Sequence, residues 1–126
     1  MMVLPDTCVW IEVLAQSSTG RRYEALFAKP ESLLLPSLVQ FELRRWALRE
    51  LGEDAADDLM AAARAAHILA LEESVALHAA ELALVHRLAS MDALIYATAL
   101  HHRATLVTCD AHFEGLPEVD YQPKLA

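Results

Sequence analysis

Residues 90–113 read SMDALIYATALHHRATLVTCDAHF, and this stretch contains both kinds of element from which the chain is built. Ser90 is a favourable N-cap, and the Ala- and Leu-rich run after it predicts a helix that ends near His102. Residues 105–108 then predict a strand, which ends at Cys109 and Asp110. A helix that leads directly into a strand is typical of an alternating α/β fold.

The same alternation extends over the whole chain. Strands are predicted over residues 3–4, 32–35, 67–71, 105–108 and 118–121. Helices are predicted over residues 7–14, 21–28, 54–66 and 73–88, with residues 17–20 as a break between the first two. Two more are predicted with a serine as N-cap, one from Ser37 to about residue 51 and one from Ser90 to residue 102. We therefore expect an α/β fold, a three-layer α/β/α sandwich with a central, mainly parallel sheet. In such sheets ligands bind beyond the carboxyl ends of the strands.

The composition fits one domain over residues 1–126. Hydrophobic residues make up 56% of the chain, so it can form a real core without disulfides. The formal net charge of −8 argues against a protein that coats nucleic acid non-specifically, because such proteins are normally basic. The charge does not exclude a nuclease, since carboxylates that hold a divalent ion contribute to it.

The cysteines and the lack of long apolar segments indicate the compartment. The two Cys residues have no metal-like spacing, which suggests a reducing cytoplasm. The first residues lack a basic region followed by an apolar core, and no run of about 18 apolar residues occurs. We therefore expect a cytoplasmic protein that does not associate with membranes.

Two acidic residues directly follow predicted strands. Asp6 comes after the first strand, and Asp110 comes after the strand at residues 105–108. In the expected sandwich both lie at the same edge of the sheet. Each also has a structural explanation, because Asp6 can cap the next helix and Asp110 can cap a turn.

Two further acids lie on predicted helices among apolar neighbours. Glu42 has Leu38, Val39 and Trp46 at helical spacing, and Asp92 has Leu88, Ile95 and Tyr96. A charge beside an apolar stripe is costly unless it is paired or bound to a metal. The alternatives are an ion pair of Glu42 with Arg45, and a favourable position of Asp92 in the first turn of its helix.

Together the acids Asp6, Glu42, Asp92 and Asp110 fit one site. Hard divalent ions such as Mg²⁺ and Mn²⁺ bind oxygen ligands and retain several waters. Like charges in one pocket raise each other's pKa, so the cluster favours a bound cation.

The acids stand in four sequence blocks that resemble those of PIN-domain proteins, and most of all the VapC toxins of toxin–antitoxin modules. The blocks are Leu4-Pro5-Asp6-Thr7, Ser37 with Glu42, Met91-Asp92-Ala93-Leu94-Ile95, and Leu106-Val107-Thr108-Cys109-Asp110 with His112-Phe113. Each block alone is a weak signal, but the ordered set covers nearly the whole chain and is fairly specific.

The resemblance implies a PIN-like fold and a metal-dependent endoribonuclease that acts as the toxin of a type II toxin–antitoxin module. It would cleave RNA with metal-activated water and Mg²⁺ or Mn²⁺ as cofactor. By motif position, Asp6, Asp92 and Asp110 are metal ligands, and Glu42 binds the metal directly or through water. The hydroxyls of Thr7 and Thr108 would orient these carboxylates.

The resemblance also implies the partners, namely an RNA substrate, a cognate antitoxin, and assembly as a homodimer or a toxin–antitoxin hetero-oligomer. Arg21, Arg22, Arg44, Arg45, Arg49 and His112 are candidates for contacts to the RNA backbone. Trp10, Leu14, Leu26 and Phe27 are candidates for a groove that receives the antitoxin, although core positions are the alternative for most of them.

Two positions depart from the family pattern. Cys8 stands where many relatives have Asn or Ser, and His112 stands where many have a further Asp. The missing acid favours a site for one metal over a site for two. For His112 itself, phosphate contact, metal ligation and a plain surface position are the alternatives.

Three other functions compete with this interpretation. A catalytically silent PIN-like domain would bind or regulate without cleavage. A Mg²⁺-binding receiver domain needs an Asp after its third strand, where Glu72 and Glu73 stand, and a Lys after its last strand, where only Lys124 is near. A phosphatase of the haloacid dehalogenase type needs a second Asp at the position of Cys8.

Overall fold

The computed structural model describes residues 2–125. Its strands are β1 (Val3–Pro5), β2 (Leu34–Pro36), β3 (His67–Leu69), β4 (Thr105–Thr108) and β5 (Val119–Tyr121). Its α-helices are α1 (Thr7–Leu14), α2 (Ser18–Arg21), α3 (Glu24–Phe27), α4 (Ser37–Glu50), α5 (Glu53–Ala63), α6 (Glu73–His86) and α7 (Ser90–His101). Two 3₁₀ turns, Pro30–Ser32 and Ala111–Phe113, complete the secondary structure of this part of the chain.

All ladders between these strands are parallel. β4 lies between β1 and β5, and β2 pairs with β3. A parallel bridge from Val3 to Leu33 places β2 beside β1, so the strands follow the order 3-2-1-4-5. Along the chain, β2 and β3 are added in turn on one side of β1, and β4 and β5 are then added on its other side. The predicted α/β fold with parallel strands is thus confirmed, and the order reverses between β1 and β4, where such sheets bind ligands.

Helix α7 crosses the interior beside the sheet. Ala93, Ile95, Tyr96 and Ala97 on it are buried, and it is apolar on nearly every side, as expected of a helix enclosed by other elements. The Tyr96 hydroxyl donates to the carbonyl of Pro117 at 2.8 Å, which satisfies its buried polar atom. Asp92 in the first turn of α7 is therefore carried on a firmly packed element.

The break predicted at residues 17–20 lies at residues 15–17 instead, and residues 18–20 are helical. Ser17 caps the short helix α2 by accepting the Gly20 N–H at 2.9 Å, and the buried Thr19 hydroxyl accepts the Leu125 N–H at 2.8 Å. A Cβ at position 20 would collide with the carbonyl of Glu12, so glycine is needed for the close approach of α2 to α1. The helix predicted over residues 21–28 is therefore split into α2 and α3.

Two predicted caps are also wrong. Ser37 and Ser90 are already the first helical residues of α4 and α7, and neither caps its helix through the side chain. The capping positions are held by Pro36 and Ala89, whose extended backbone starts each helix one residue earlier. Helix α6 ends before the predicted residue 88, because Arg87 adopts a left-handed backbone with φ of 56°.

None of the helices in residues 2–125 is long and apolar enough to span a membrane.

Candidate metal centre

Asp6 is held in one orientation at the carboxyl end of β1. Its Oδ1 accepts the Thr7 N–H at 2.8 Å and so caps α1, as predicted. Its Oδ2 accepts the Thr108 hydroxyl at 2.9 Å, and its own N–H donates to the carbonyl of Val107 at 2.9 Å. Only 5% of Asp6 is exposed, so the fold fixes this carboxylate before any ligand arrives.

The buried position of Asp6 changes its acidity. Its pKa is raised to about 6, mainly because the carboxylate is buried and to a smaller extent because the carboxylates of Asp92 and Glu42 lie nearby. The hydrogen bonds from Thr108 and Thr7 oppose this rise because they favour the charged form. The balance shows that the buried charge at Asp6 is not fully compensated by the protein itself.

Glu42 reaches the same region from helix α4. Its Oε1 accepts the Thr7 hydroxyl at 2.6 Å, so Thr7 is bonded to both Asp6 and Glu42. The ion pair with Arg45 that the spacing allowed does not form, because the Arg45 guanidinium lies 5.2 Å from the centre of the Phe41 ring. We call Asp6, Glu42, Thr7 and Thr108 the inner side of the site.

Asp92, Asp110 and His112 form the outer side of the site. Each offers one ligand atom, and the three atoms lie within 4.8 Å of one another. Burial raises the pKa of Asp92, and the nearby charge of Asp110 adds to the rise. Asp110 Oδ1 accepts the His112 N–H at 2.9 Å, which confirms its predicted cap of the Ala111–Phe113 turn.

Thr108 connects the two sides. Its hydroxyl donates to Asp6 and accepts the Asp110 N–H at 3.0 Å, so one buried oxygen orients both strand-end acids. Thr108 is 0% exposed on β4. The arrangement follows directly from the β1–β4 pairing, which brings the ends of these two strands side by side.

The charge of the site fits a divalent cation. The ion pairs within residues 2–125 join Arg44 to Asp57, Arg49 to Glu50 and His112 to Asp110, so no Lys or Arg pairs with any of the four acids. Clustered carboxylates without a basic partner favour a cation with oxygen ligands, such as Mg²⁺ or Mn²⁺. The donor set therefore fits the predicted ion.

Four of the arginines predicted to contact RNA lie along a groove on α4 or beside residues 122–123, and none of these four pairs with the acids of the site. Arg44, Arg45 and Arg49 line an open groove of about 820 Å³ on the outer face of α4, together with Ser37, Gln40, Phe41, Leu48 and Met60. Arg22 donates to the Gln122 side chain and to the carbonyl of Pro123, so its guanidinium holds the end of the chain. The groove was missed from sequence, although Phe41 and Leu48, seven residues apart, could have indicated an exposed apolar stripe.

For three of the four residues considered for an antitoxin groove, the alternative of a core position is confirmed. Trp10 is only 7% exposed, and its ring meets Phe27 edge-on with 4.7 Å between the ring centroids. Leu26 and Phe27 pack partly buried against the core, because α3 folds back onto α1 rather than standing apart from it. Of the four, Leu14 is the exposed one, at 39%.

The two cysteines meet beside the inner side of the site. The Cys109 N–H donates to Cys8 Sγ at 3.4 Å, and Cys8 Sγ lies 3.7 Å from Asp6 Oδ2 and 3.6 Å from Thr108 Oγ1. Cys8 thus joins the hydrogen-bond network around Asp6, but only through a weak sulfur donor.

Comparisons with known proteins match this architecture. Residues 3–119 match the PIN domain family, whereas no curated protein matches the chain. A chain in a toxin–antitoxin complex from Klebsiella pneumoniae has 24% identity and a TM-score of 0.81, over 94% of this chain and 95% of that one. FitAcB from Neisseria gonorrhoeae has 26% identity and a TM-score of 0.76, over 95% and 96%.

VapC20 from Mycobacterium tuberculosis, described as a toxin that cleaves the sarcin–ricin loop, has a similar fold. Its identity is 18% and its TM-score 0.74, over 91% of this chain and 95% of that one. At this identity the likeness shows the fold alone.

Proposed function

Because the chain belongs to the PIN domain family, we propose that it is a metal-dependent endoribonuclease that acts as the toxin of a type II toxin–antitoxin module. The observation that carries the proposal is the meeting of Asp6, Glu42, Asp92 and Asp110, which come from four separate elements, without a Lys or Arg partner in residues 2–125. The similarity to toxin chains in solved complexes supports the biological role.

The four acids are proposed to hold one divalent ion. When bound, such an ion supplies hydroxide from water near neutral pH and stabilises charge on a phosphate. Asp6 provides a carboxylate that Thr7 and Thr108 hold in place, so little reorganisation is needed when the ligand arrives. Asp92 and Asp110 are more open, and they leave the solvent side of the site accessible to water and RNA.

The expected products are a 5′-phosphate and a 3′-hydroxyl. Of the arginines near α4, Arg45 is the best candidate for holding the RNA backbone, since Arg44 and Arg49 already pair with acids. Arg45 also lies at i+3 from Glu42 on the same helix and lines the groove beside Phe41. His112 is the other candidate at the mouth of the site, with 77% of its side chain exposed.

The test is cleavage of total RNA by the purified chain, with the new ends mapped by sequencing. We expect defined cuts with 5′-phosphate ends in Mg²⁺ or Mn²⁺, and none in excess chelator or with D92N. D58N, which changes an exposed acid on α5, is the matched control and should cleave normally. Undiminished cleavage in chelator or by D92N would contradict the proposal.

The toxin role needs a separate experiment in cells. We expect growth arrest when the chain is expressed alone, and rescue when the neighbouring reading frame is expressed with it. The D92N chain should be harmless but should still be captured by the product of that frame. Growth arrest by the D92N chain would separate toxicity from cleavage and would support the catalytically silent alternative instead. The family match removes the reason for the receiver and phosphatase alternatives.

A further inference from the structure

His112 follows Asp110 by two residues, and its position is fixed although 77% of its side chain is exposed. The Asp110 carboxylate accepts the backbone N–H of His112, and His112 Nδ1 lies 2.9 Å from the same Asp110 oxygen. The next residue, Phe113, is 0% exposed and anchors the turn in the core. The imidazole is thus directed to the acids by a tight, anchored turn.

The spacing of the donors on the outer side suits a single ion. Asp92, Asp110 and His112 offer ligand atoms that all lie within 4.8 Å of one another. An octahedral ion with bonds of about 2.1 Å holds its donors roughly 3 to 4 Å apart. Small side-chain movements would therefore bring both carboxylates and one ring nitrogen into one coordination sphere.

A pairing of His112 with Asp110 alone explains less. An exposed ion pair of this kind contributes little to stability, and it leaves the inner acids Asp6 and Glu42 without a basic partner in residues 2–125. A neutral imidazole supplies a lone pair, whereas the carboxylates supply the negative charge that attracts the ion.

We infer that His112 is a nitrogen ligand to the ion and that this mixed oxygen–nitrogen set makes the site prefer Mn²⁺ to Mg²⁺. The inference rests on the proposed function, since it concerns the ion that the four acids are proposed to hold. Mg²⁺ binds almost only oxygen ligands in proteins, whereas first-row transition-metal ions bind imidazole more readily, with Mn²⁺ at the weak end of that series, so one nitrogen donor shifts the preference away from Mg²⁺ and towards Mn²⁺.

The experiment is pulsed electron paramagnetic resonance of Mn²⁺ added to the full chain without RNA, which detects ¹⁴N coupling from a bound imidazole. We expect coupling in the wild type and in H102A, whose altered histidine is exposed at the end of α7. We expect none in H112A or in H112N, whose amide can still donate to Asp110 but supplies no imidazole. H112N thus separates ligation from the positioning of Asp110.

Calorimetric titration of the same variants with Mn²⁺ and with Mg²⁺ gives the second readout. H112A and H112N should lose about tenfold in Mn²⁺ affinity with little change for Mg²⁺, and H112D should shift the preference towards Mg²⁺. Mn²⁺ that binds the wild type without ¹⁴N coupling would overturn the role of His112 and leave the metal site standing. Failure of every variant and of the wild type to bind Mn²⁺ would overturn the proposed metal dependence itself.

A role for His112 in holding phosphate is a separate outcome. It predicts that H112A binds Mn²⁺ like the wild type and binds RNA more weakly in chelator. That result would contradict the inference.

Discussion

The two sides of the acidic site are built differently. On the inner side, Asp6 is 5% exposed and has hydrogen bonds to both carboxylate oxygens, from Thr7 and Thr108. On the outer side, Asp92 and Asp110 are half-buried, and His112 stands in solvent. Folding therefore positions the inner acid rigidly and leaves the outer acids open.

The difference indicates a division of roles. A buried carboxylate with a raised pKa destabilises the free protein, and a bound cation relieves that cost. An open carboxylate costs less and keeps a path for water and substrate. We interpret the inner side as the fixed base of the site and the outer side as the part that adapts to ligands.

The largest expected effect comes from removing one acid from either side. D6N and D92N should each reduce RNA cleavage by at least about a hundredfold, because each removes a charge that holds the ion and so its stabilisation of the transition state. Cleavage rates and circular dichroism melting curves, compared with D58N, are the measurements. A variant on one side that retains wild-type activity would mean that this side does not contact the ion.

The second-largest expected effect is a dependence of stability on pH that comes from Asp6 on the inner side. Asp6 has a pKa of about 6 in the folded chain, against 3.8 as its ordinary value, so the folded state binds its proton more tightly. Its contribution to stability is therefore full below about pH 4 and is lost as the pH rises through 6.

In metal-free protein this loss amounts to about 2–3 kcal/mol between pH 4 and pH 7. Urea unfolding at pH 4 and pH 7, in chelator, measures how much unfolding free energy the wild type and D6N each lose over this interval. D6N should lose less stability over this interval, and Mn²⁺ should raise the stability of the wild type at pH 7. An equal loss of unfolding free energy in the wild type and in D6N would show that burial of Asp6 does not make stability depend on pH.

Removing the Thr108 hydroxyl, which bonds to both sides of the site, should reduce metal affinity and activity less than removing an acid does. T108V keeps the shape of the side chain but removes the hydroxyl that bonds Asp6 and the Asp110 N–H. We expect a loss of 10–100-fold in metal affinity or activity, as is usual when a residue that orients metal ligands is changed. T108S restores the hydroxyl and should recover most of the loss, whereas an equal loss in T108S would point to packing.

The smallest effect is expected at Cys8. Its sulfur lies 3.7 Å from Asp6 Oδ2, so it contributes a weak hydrogen bond to a carboxylate that Thr108 already holds. C8S should change cleavage by less than about threefold, since only weak hydrogen bonds of the sulfur are altered. A tenfold change in the rate constant for C8S would show that the inner side depends on this sulfur.

Much of this site could be predicted from short-range patterns. Asp6 and Asp110 were expected at one edge because each follows a parallel strand, and the β1–β4 pairing places those strand ends together. Glu42 was expected there because a charge among apolar neighbours needs a partner. The fold class followed from the alternation of strands and helices in the same way.

The features that were missed depend on contacts between distant residues. The fold of α2 depends on the hydrogen bond from Leu125 to Thr19, 106 residues away, and on the close approach of Gly20 to the Glu12 carbonyl, which only the packing of α2 on α1 creates. Trp10 is enclosed because Phe27 packs on it from another helix. The groove beside Phe41 likewise forms where α4 and α5 pack together.

The most direct test of one ion shared by both sides is anomalous diffraction from a crystal soaked in Mn²⁺. The account predicts a single strong peak, within bonding distance of oxygens from Asp6 on the inner side and from Asp92 and Asp110 on the outer side. A crystal with no peak among these acids, or with a peak that contacts the outer side alone, would contradict it.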